Sequence, residues 1–510
     1  MTTMKRHTFK QLMLIAGITL LSACSDWLTI EPEGKIVLGD YWNTESDVEA
    51  VIATCYRSMI DYEYIRRLII WGEMRSDNIV AGNGIKETEK RILEANITPA
   101  NWYSSWSQFY TVINYCNAVL YYTPKVIDPN FTEAKMRAKM AEALALRALT
   151  YFYLVRTYKD IPLILEPSVT DQQDYSVPQS SENTVLDQIE SDLLKAEEWA
   201  MTSFSSIAHT KGRITKNAVR ALLADVYLWR NKYNQTVTYC DKIIESPAFK
   251  LIEADETPYM QIFSRKNSTE SIFELQFGES FKINENIPDL YGSRDEPEGI
   301  LSVPQLFCNT NTLFETTDVR RKDFIRDQPV NGLYYITKYA IDYRFENNTG
   351  VSTYLYRYTT PNWIIYRLTD VMLMKAEALV QLNRSEQDLR SALQLVNTTY
   401  MRSNPTLLND TLDFETYNTK RAMEDLVLAE RQRELMFEGK RWFDLVRLAR
   451  REGNTDRLLE LVLRKYTENQ SVIKTKLKDL NSMYMPINEN ELKANKKLVQ
   501  NPFYTTKQYN

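Results

Sequence analysis

The chain has 510 residues, 44% hydrophobic and 25% charged, enough apolar mass for a sizeable core in one large lobed unit or two to three domains. Its net charge is −5 and no basic stretch is interleaved with aromatics, which sets nucleic-acid binding aside. With only 14 glycines and two histidines, His7 and His209, the composition argues against phosphate-cradling glycine loops and histidine-based catalysis.

Lys5, Arg6 and Lys10 precede an apolar run, Leu12 to Leu21, too short to span a bilayer. The run ends in Leu21-Ser22-Ala23-Cys24, which resembles a lipoprotein signal cut before Cys24, whose thiol and new amine are then acylated. Several acyl chains on one residue give stable anchoring where one alone is marginal. Residues 1–23 therefore read as a signal peptide and 24–510 as the mature chain, with net charge −8 once Lys5, Arg6 and Lys10 are lost. Ser25-Asp26 resembles the short acidic export tag of surface lipoproteins in Bacteroidetes. Cys55, Cys116, Cys240 and Cys308 could pair as disulfides or fill the core as small hydrophobes, the commoner use.

Residues 138–158 place Ala141, Leu144, Ala145, Ala148, Tyr151, Phe152 and Val155 at steps of three and four, a core-facing helix that Asp160-Ile161-Pro162 ends. A second helix runs to about Trp199, with Ser181 as its cap and Ser180 as the alternative. Residues 215–245 read as a helical pair turning at Arg230-Asn231-Lys232. Ala224, Tyr227 and Cys240 occupy the small, large and small positions of a tetratricopeptide unit. A second pair follows at 369–402, with Ala376, Ala378, Leu389, Leu393 and Val396 inward. Thr236, where a small Ala is wanted, and Asn383, near where Gly often turns, depart from the pattern.

Between about 250 and 362 the rhythm changes. Ser271 to Phe277 alternates like a half-buried strand, 283–300 reads as loop with Pro288, Gly292, Pro297 and Gly299, and Tyr334–Tyr339 and Tyr354–Tyr358 read as short strands. The fold expected is mainly α: a tetratricopeptide-like scaffold of helical pairs over about 40–250 and 363–510, carrying an irregular loop and short-strand insert.

Several motifs then occur in order: Arg147 to Phe152 with Asp160 to Leu163; Gly212 to Lys216; Ile272-Phe273-Glu274; Tyr366 to Asp370; Ala376-Glu377-Ala378; Glu430 to Leu435 with Phe437 to Leu445; and Met485-Pro486-Ile487 with Glu491-Leu492 and Gln500-Asn501-Pro502. Together they resemble the SusD/RagB family of outer-membrane nutrient-binding lipoproteins, from Cys24 to the C-terminus. The resemblance implies a non-catalytic, cofactor-free surface lipoprotein. It would act as a lid on a TonB-dependent, SusC-like outer-membrane transporter, capturing glycan and passing it inward. It also implies that Glu430, Arg433, Glu434, Glu438 and Arg441, spaced for a helical ion-pair network, are structural and not an acid/base site.

No GxSxG, HExxH or GxGxxG is present, whereas a glycosidase needs only two carboxylates and stays open. Sugar capture calls for flat rings with polar edges, and the chain is rich in them, with 32 Tyr and nine Trp, most of which must be core. Trp106, Tyr110, Trp229 and Trp442 read as core. The binding candidates are Asn83 and Trp102, flanking the segment where the resemblance places a ligand loop, Tyr291 and Arg294 in the 283–300 loop, and Trp363 after Pro361-Asn362. Peptide or glycopeptide cargo, which the charged 283–300 loop does not rule out, is the alternative with the same partner; a helical-repeat adaptor is another, although it would not need the aromatic insert.

Overall fold

The computed structural model describes residues 41–169, 173–253, 258–293, 295–309, 312–357, 360–407 and 411–505. Cys24, Ser25-Asp26 and the run before them lie outside these, as does Arg294. Thr44–Asn510 forms one compact unit; of Met1–Asn43, residues 41–43 are described.

Helices start where the sequence offers a cap. Thr44 and Asp47 exchange side-chain and backbone bonds in a capping box that opens α1, Glu45–Met59. Asp61 caps α2, Tyr62–Glu73. Strand β1, Val80–Ala81, and helix α3, Glu87–Leu93, lead to α4, Ser107–Tyr122. Helix α5, Glu133–Tyr158, starts at a Thr132 cap and is buried on every side from Ala141 onward, as a central helix must be. Ser181 accepts the Thr184 amide and opens α6, Glu182–Trp199. The expected pair follows as α7, Lys216–Trp229, and α8, Tyr233–Ile244.

Next come strand β2, Ser271–Leu275, helix α9, Asn286–Leu290, and strands β3, Leu301–Val303, β4, Tyr334–Tyr335, β5, Ile341–Glu346, β6, Ser352–Tyr356, and β7, Trp363–Arg367. The second expected pair is α10, Leu368–Leu382, and α11, Glu386–Ser403. The chain continues through α12, Lys420–Leu435, α13, Arg441–Glu452, α14, Asp456–Val462, and α15, Gln470–Leu477.

The helices stack in a line: α1 on α4, then α5, α6, α7 and α8, then α10, α11 and α12. The second pair thus packs on the first although more than a hundred residues separate them, a repeat-like stack that is mainly helical. Both departures from the repeat pattern are accommodated. Thr236 is fully buried, and its hydroxyl donates to the Lys232 carbonyl at 3.2 Å, so no polar atom is stranded. Asn383 takes the left-handed conformation, φ 42°, that a helix end commonly assigns to Gly or Asn. The four described cysteines are buried and form no disulfide.

Two expectations change between Ser271 and Arg367. Strand β2 does not alternate: all five residues are buried, because it pairs with β7 and α7 packs against both strands. The 283–300 stretch is not loop throughout, since α9 lies within it, a turn and a half too short to show a helical period.

The carboxylate-rich 430–441 stretch also departs from expectation. Helix α12 ends at Leu435, and Phe437 and Gly439 both adopt positive φ, so the i, i+4 spacing does not carry through. Only Glu430 and Arg433 pair within the set, at 2.7 Å. Glu434 instead meets Arg367 at 2.6 Å and also Arg402; Glu438 meets Arg367 and Lys338, both at 2.7 Å; Glu430 meets Arg320 at 2.7 Å. Arg441 reaches back to Asp77 at 2.8 Å. The network is structural and buried, and it fastens the strand-bearing region to the helical stack.

Candidate functional site

The segment after α2 is held from below and from the side. Arg441 grips Asp77 and Gln432 donates to the Asn78 side-chain oxygen at 2.8 Å, fixing the chain as it leaves the core. Strand β1 then pairs with β3, which pairs with β4, Val80 opposite Ser302 and Ser302 opposite Tyr335. This small sheet joins the 80–102 segment to residues more than two hundred positions away. Gly82 lies so close to the Gly299 carbonyl that a Cβ would meet it at 2.5 Å, so only glycine allows the approach.

Asn83 sits exposed at this junction. Its amide N–H donates to the Tyr335 hydroxyl at 3.0 Å and its side-chain Nδ2 to Glu298 at 3.1 Å; Asn331 donates to the other Glu298 oxygen at 3.3 Å. Two amides and a carboxylate at a surface edge form a suitable set for sugar hydroxyls, which both donate and accept.

Trp102 is 38% exposed, in contrast to the other tryptophans read here as core. It opens a single 3₁₀ turn capped by Asn101. The Arg67 guanidinium stands 4.3 Å from its ring centroid while donating to the Trp102 and Ser105 carbonyls at 3.0 and 2.9 Å, so ring and backbone are braced together. Tyr103 packs edge-on against it at 4.8 Å. Behind lies a polar relay: Arg66 donates to the Tyr103 and Tyr62 hydroxyls, each at 2.7 Å, Tyr103 donates to Glu89 at 2.6 Å, and Tyr62 donates to Asp289 at 3.3 Å. Asp289 belongs to α9, so the 283–300 stretch does help mount the Trp102 surface, through the aspartate and not through Tyr291.

A cleft of about 1080 Å³ opens alongside α3. Its walls are β1 and α3, the segments around Val303–Leu306 and Gly332–Tyr334, and the 464–476 stretch running into α15. The Tyr466 hydroxyl donates to the Leu93 carbonyl, and Lys465 donates to the Met74 carbonyl at 3.3 Å and to that of Ser76, clamping this stretch to the end of α2 and to α3. Burial pushes the Lys465 ammonium down to about 7. Neither Asn83 nor Trp102 lines the cleft. The 464–476 wall was missed in the sequence, where the only sign is a run of basic residues around Tyr466.

Two candidates are corrected. Tyr291 is fully buried at the end of α9, its ring 6.4 Å from Phe437 and its hydroxyl donating to the Phe437 carbonyl at 2.8 Å. Trp363 is 1% exposed, the first residue of β7, stacked on Tyr339 at 5.1 Å. Neither ring has a face for a ligand. Arg294 and Cys24 fall outside the described residues.

Residues 26–228 match a family described as starch-binding, associating with the outer membrane, and residues 308–504 match the SusD family. A SusD-like protein P38 of Formosa agariphila is 26% identical over 85% of this chain and 90% of its own length. A SusD-like protein of Bacteroides ovatus is 28% identical over 57% of this chain and 54% of its own. Among solved structures, a SusD superfamily protein of Bacteroides vulgatus superposes with a TM-score of 0.74 at 19% identity, covering 91% of this chain and all of that one. Bacteroides fragilis NanU gives 0.69 at 21% identity, covering 94% of this chain and 100% of NanU. With the helical stack, the mixed insert and the motifs at Arg147, Glu430 and Arg441 all in place, the chain belongs to the SusD/RagB family.

Proposed function

We propose that this protein captures glycan at the outer membrane, without chemistry, and delivers it to a TonB-dependent, SusC-like transporter while held to the surface by lipid on Cys24. The observation that carries this is Trp102, a large ring left more than one-third exposed and braced by Arg67; the Asn83–Glu298–Asn331 hydrogen-bonding edge stands at the other end of the same segment. An exposed flat ring gives the C–H side of a pyranose an apolar face, and amides with a carboxylate give partners for its hydroxyls. The family's description as starch-binding supports a saccharide cargo over a peptide.

Calorimetry with a panel of polysaccharides tests it. Trp102→Ala should cost about 1–2 kcal/mol of binding, roughly five- to thirtyfold in affinity, with the melting temperature nearly unchanged. Trp106, four positions on and 3% exposed, packs its ring against Tyr158 at 5.0 Å. Trp106→Ala should instead cost about 3–5 kcal/mol of stability. A Trp102→Ala protein that melts as early as Trp106→Ala, with affinity per folded molecule intact, would overturn this placement. Release of new reducing ends that scales with protein concentration would overturn the non-catalytic reading.

A further inference from the structure

The cleft beyond α3 differs in charge from the molecule that contains it. The chain as a whole is acidic, at −5, yet the cleft is lined by four basic side chains, Lys90, Arg464, Lys465 and Lys476, against two acidic ones, Glu94 and Glu468. In the core, by contrast, basic groups are matched closely by carboxylates, as around Glu434 and Glu438.

The pairing inside the cleft is loose. Lys90 and Glu94 stand 3.9 Å apart, and Arg464 lies 3.7 Å from Glu460. The hydrogen-bond partner of Lys476 is a neutral amide, Asn96 Oδ1 at 3.4 Å, and Lys465 is satisfied by backbone carbonyls. Burial lowers the pKa of both lysines, the sign of ammonium groups that have given up water without gaining an anion in full compensation. Lys465, lowered to about 7 and turned to backbone carbonyls, adds little charge, so the positive potential of this concave wall comes from Lys476, Arg464 and Lys90.

The rest of the lining suits a saccharide. Tyr334 and Tyr466 offer half-buried rings, and Asn96 and Asn309 offer exposed amides. At about 1080 Å³ the cleft lies at the upper end of small-ligand sites, large enough for several sugar units.

We propose that this cleft takes the acidic groups of an anionic glycan, carboxylates of uronic acids or sulfate esters, with Lys476 and Arg464 as the principal contacts. The proposal rests on the glycan-capture reading and narrows its cargo.

The test measures binding of the full-length protein in detergent to polygalacturonate, dextran sulfate and neutral dextran. Binding of one or both acidic polymers, with dextran much weaker, is expected; which of the two binds separates carboxylate from sulfate. Lys476→Ala combined with Arg464→Ala should weaken that binding about tenfold, and Lys476→Arg, which keeps the charge, should retain it. A matched loss of two exposed charges elsewhere, Lys250→Ala with Arg390→Ala, should leave binding unchanged. Equal weakening by the matched pair would mean diffuse attraction and overturn the proposal. Dextran bound as tightly as the acidic polymers, and indifferent to the cleft variants, would overturn it while leaving glycan capture standing. Failure of every polysaccharide to bind would remove both.

Discussion

Tyr291 and Trp102 pose the same question at the scale of a single side chain and answer it oppositely. Each is an aromatic in a segment of irregular appearance, and local sequence gives no reason to separate them. The difference is set by partners remote in sequence. Tyr291 lies under Phe437, and its hydroxyl is the bond that satisfies a buried carbonyl there. Trp102 has Arg67 on one face and solvent beside it. Tyr291→Phe should therefore leave glycan affinity unchanged and destabilise the fold by about 1–3 kcal/mol, because the Phe437 carbonyl loses its donor with no water to replace it. Urea melts and calorimetry on the one variant check both halves. A loss of affinity at constant stability would return Tyr291 to the binding surface.

At the scale of elements, the helices were the legible part. Steps of three and four, with Ser181 in a capping position, put α6, the α7–α8 pair and the outer bounds of the α10–α11 pair within a residue or two of where they lie. Helix α5 ends as expected but starts at Glu133, five residues before the expected 138. What could not be read was pairing across distance. The buried character of β2 depends on β7, the sheet that fixes Asn83 needs three segments spread over 250 residues, and the cleft needs a fourth from near the C-terminus. The bend at 436–440 is another such case, because its shape is dictated by α2. A Cβ on Gly72 would lie 1.8 Å from the Gly439 carbonyl oxygen, backbone against backbone. Gly72→Ala should thus force the bend away and cost about 3 kcal/mol or more, beyond the ordinary overpacking of a flexible core. The bend carries Glu438 toward Arg367, so the loss should appear as a lower unfolding midpoint in one cooperative transition. An unchanged midpoint would mean the two backbones are free to separate.

At the scale of the whole molecule, the question is what keeps a strand-rich excursion of more than a hundred residues registered on a stack of helices. Glu434 is the centre of the answer. Its carboxylate meets Arg320 from the excursion, Arg367 from β7 and Arg402 from α11, all buried. Burial alone would raise its pKa, but the guanidiniums of Arg402, Arg367 and Arg320 outweigh that and hold it well below the ordinary carboxylate range. A buried cluster of this kind adds little net stability over an apolar core, yet removing one member leaves charges that nothing solvates. Glu434→Gln should accordingly cost about 3–5 kcal/mol at neutral pH. The pH dependence follows from the direction of the shift. In the unfolded chain the carboxyl protonates near 4.5, whereas in the fold it stays ionised to lower pH. Its contribution is therefore complete above that value and is lost as pH falls toward the depressed folded pKa. Urea midpoints of the native protein should drop as acid is added, and Glu434→Gln, already lacking the ionised group, should show a shallower drop. Glu489→Gln, an exposed carboxylate facing Lys493, should change neither the neutral midpoint nor the slope. If Glu434→Gln and Glu489→Gln behave alike, the excursion is held by its apolar contacts and the charge cluster is incidental to the fold.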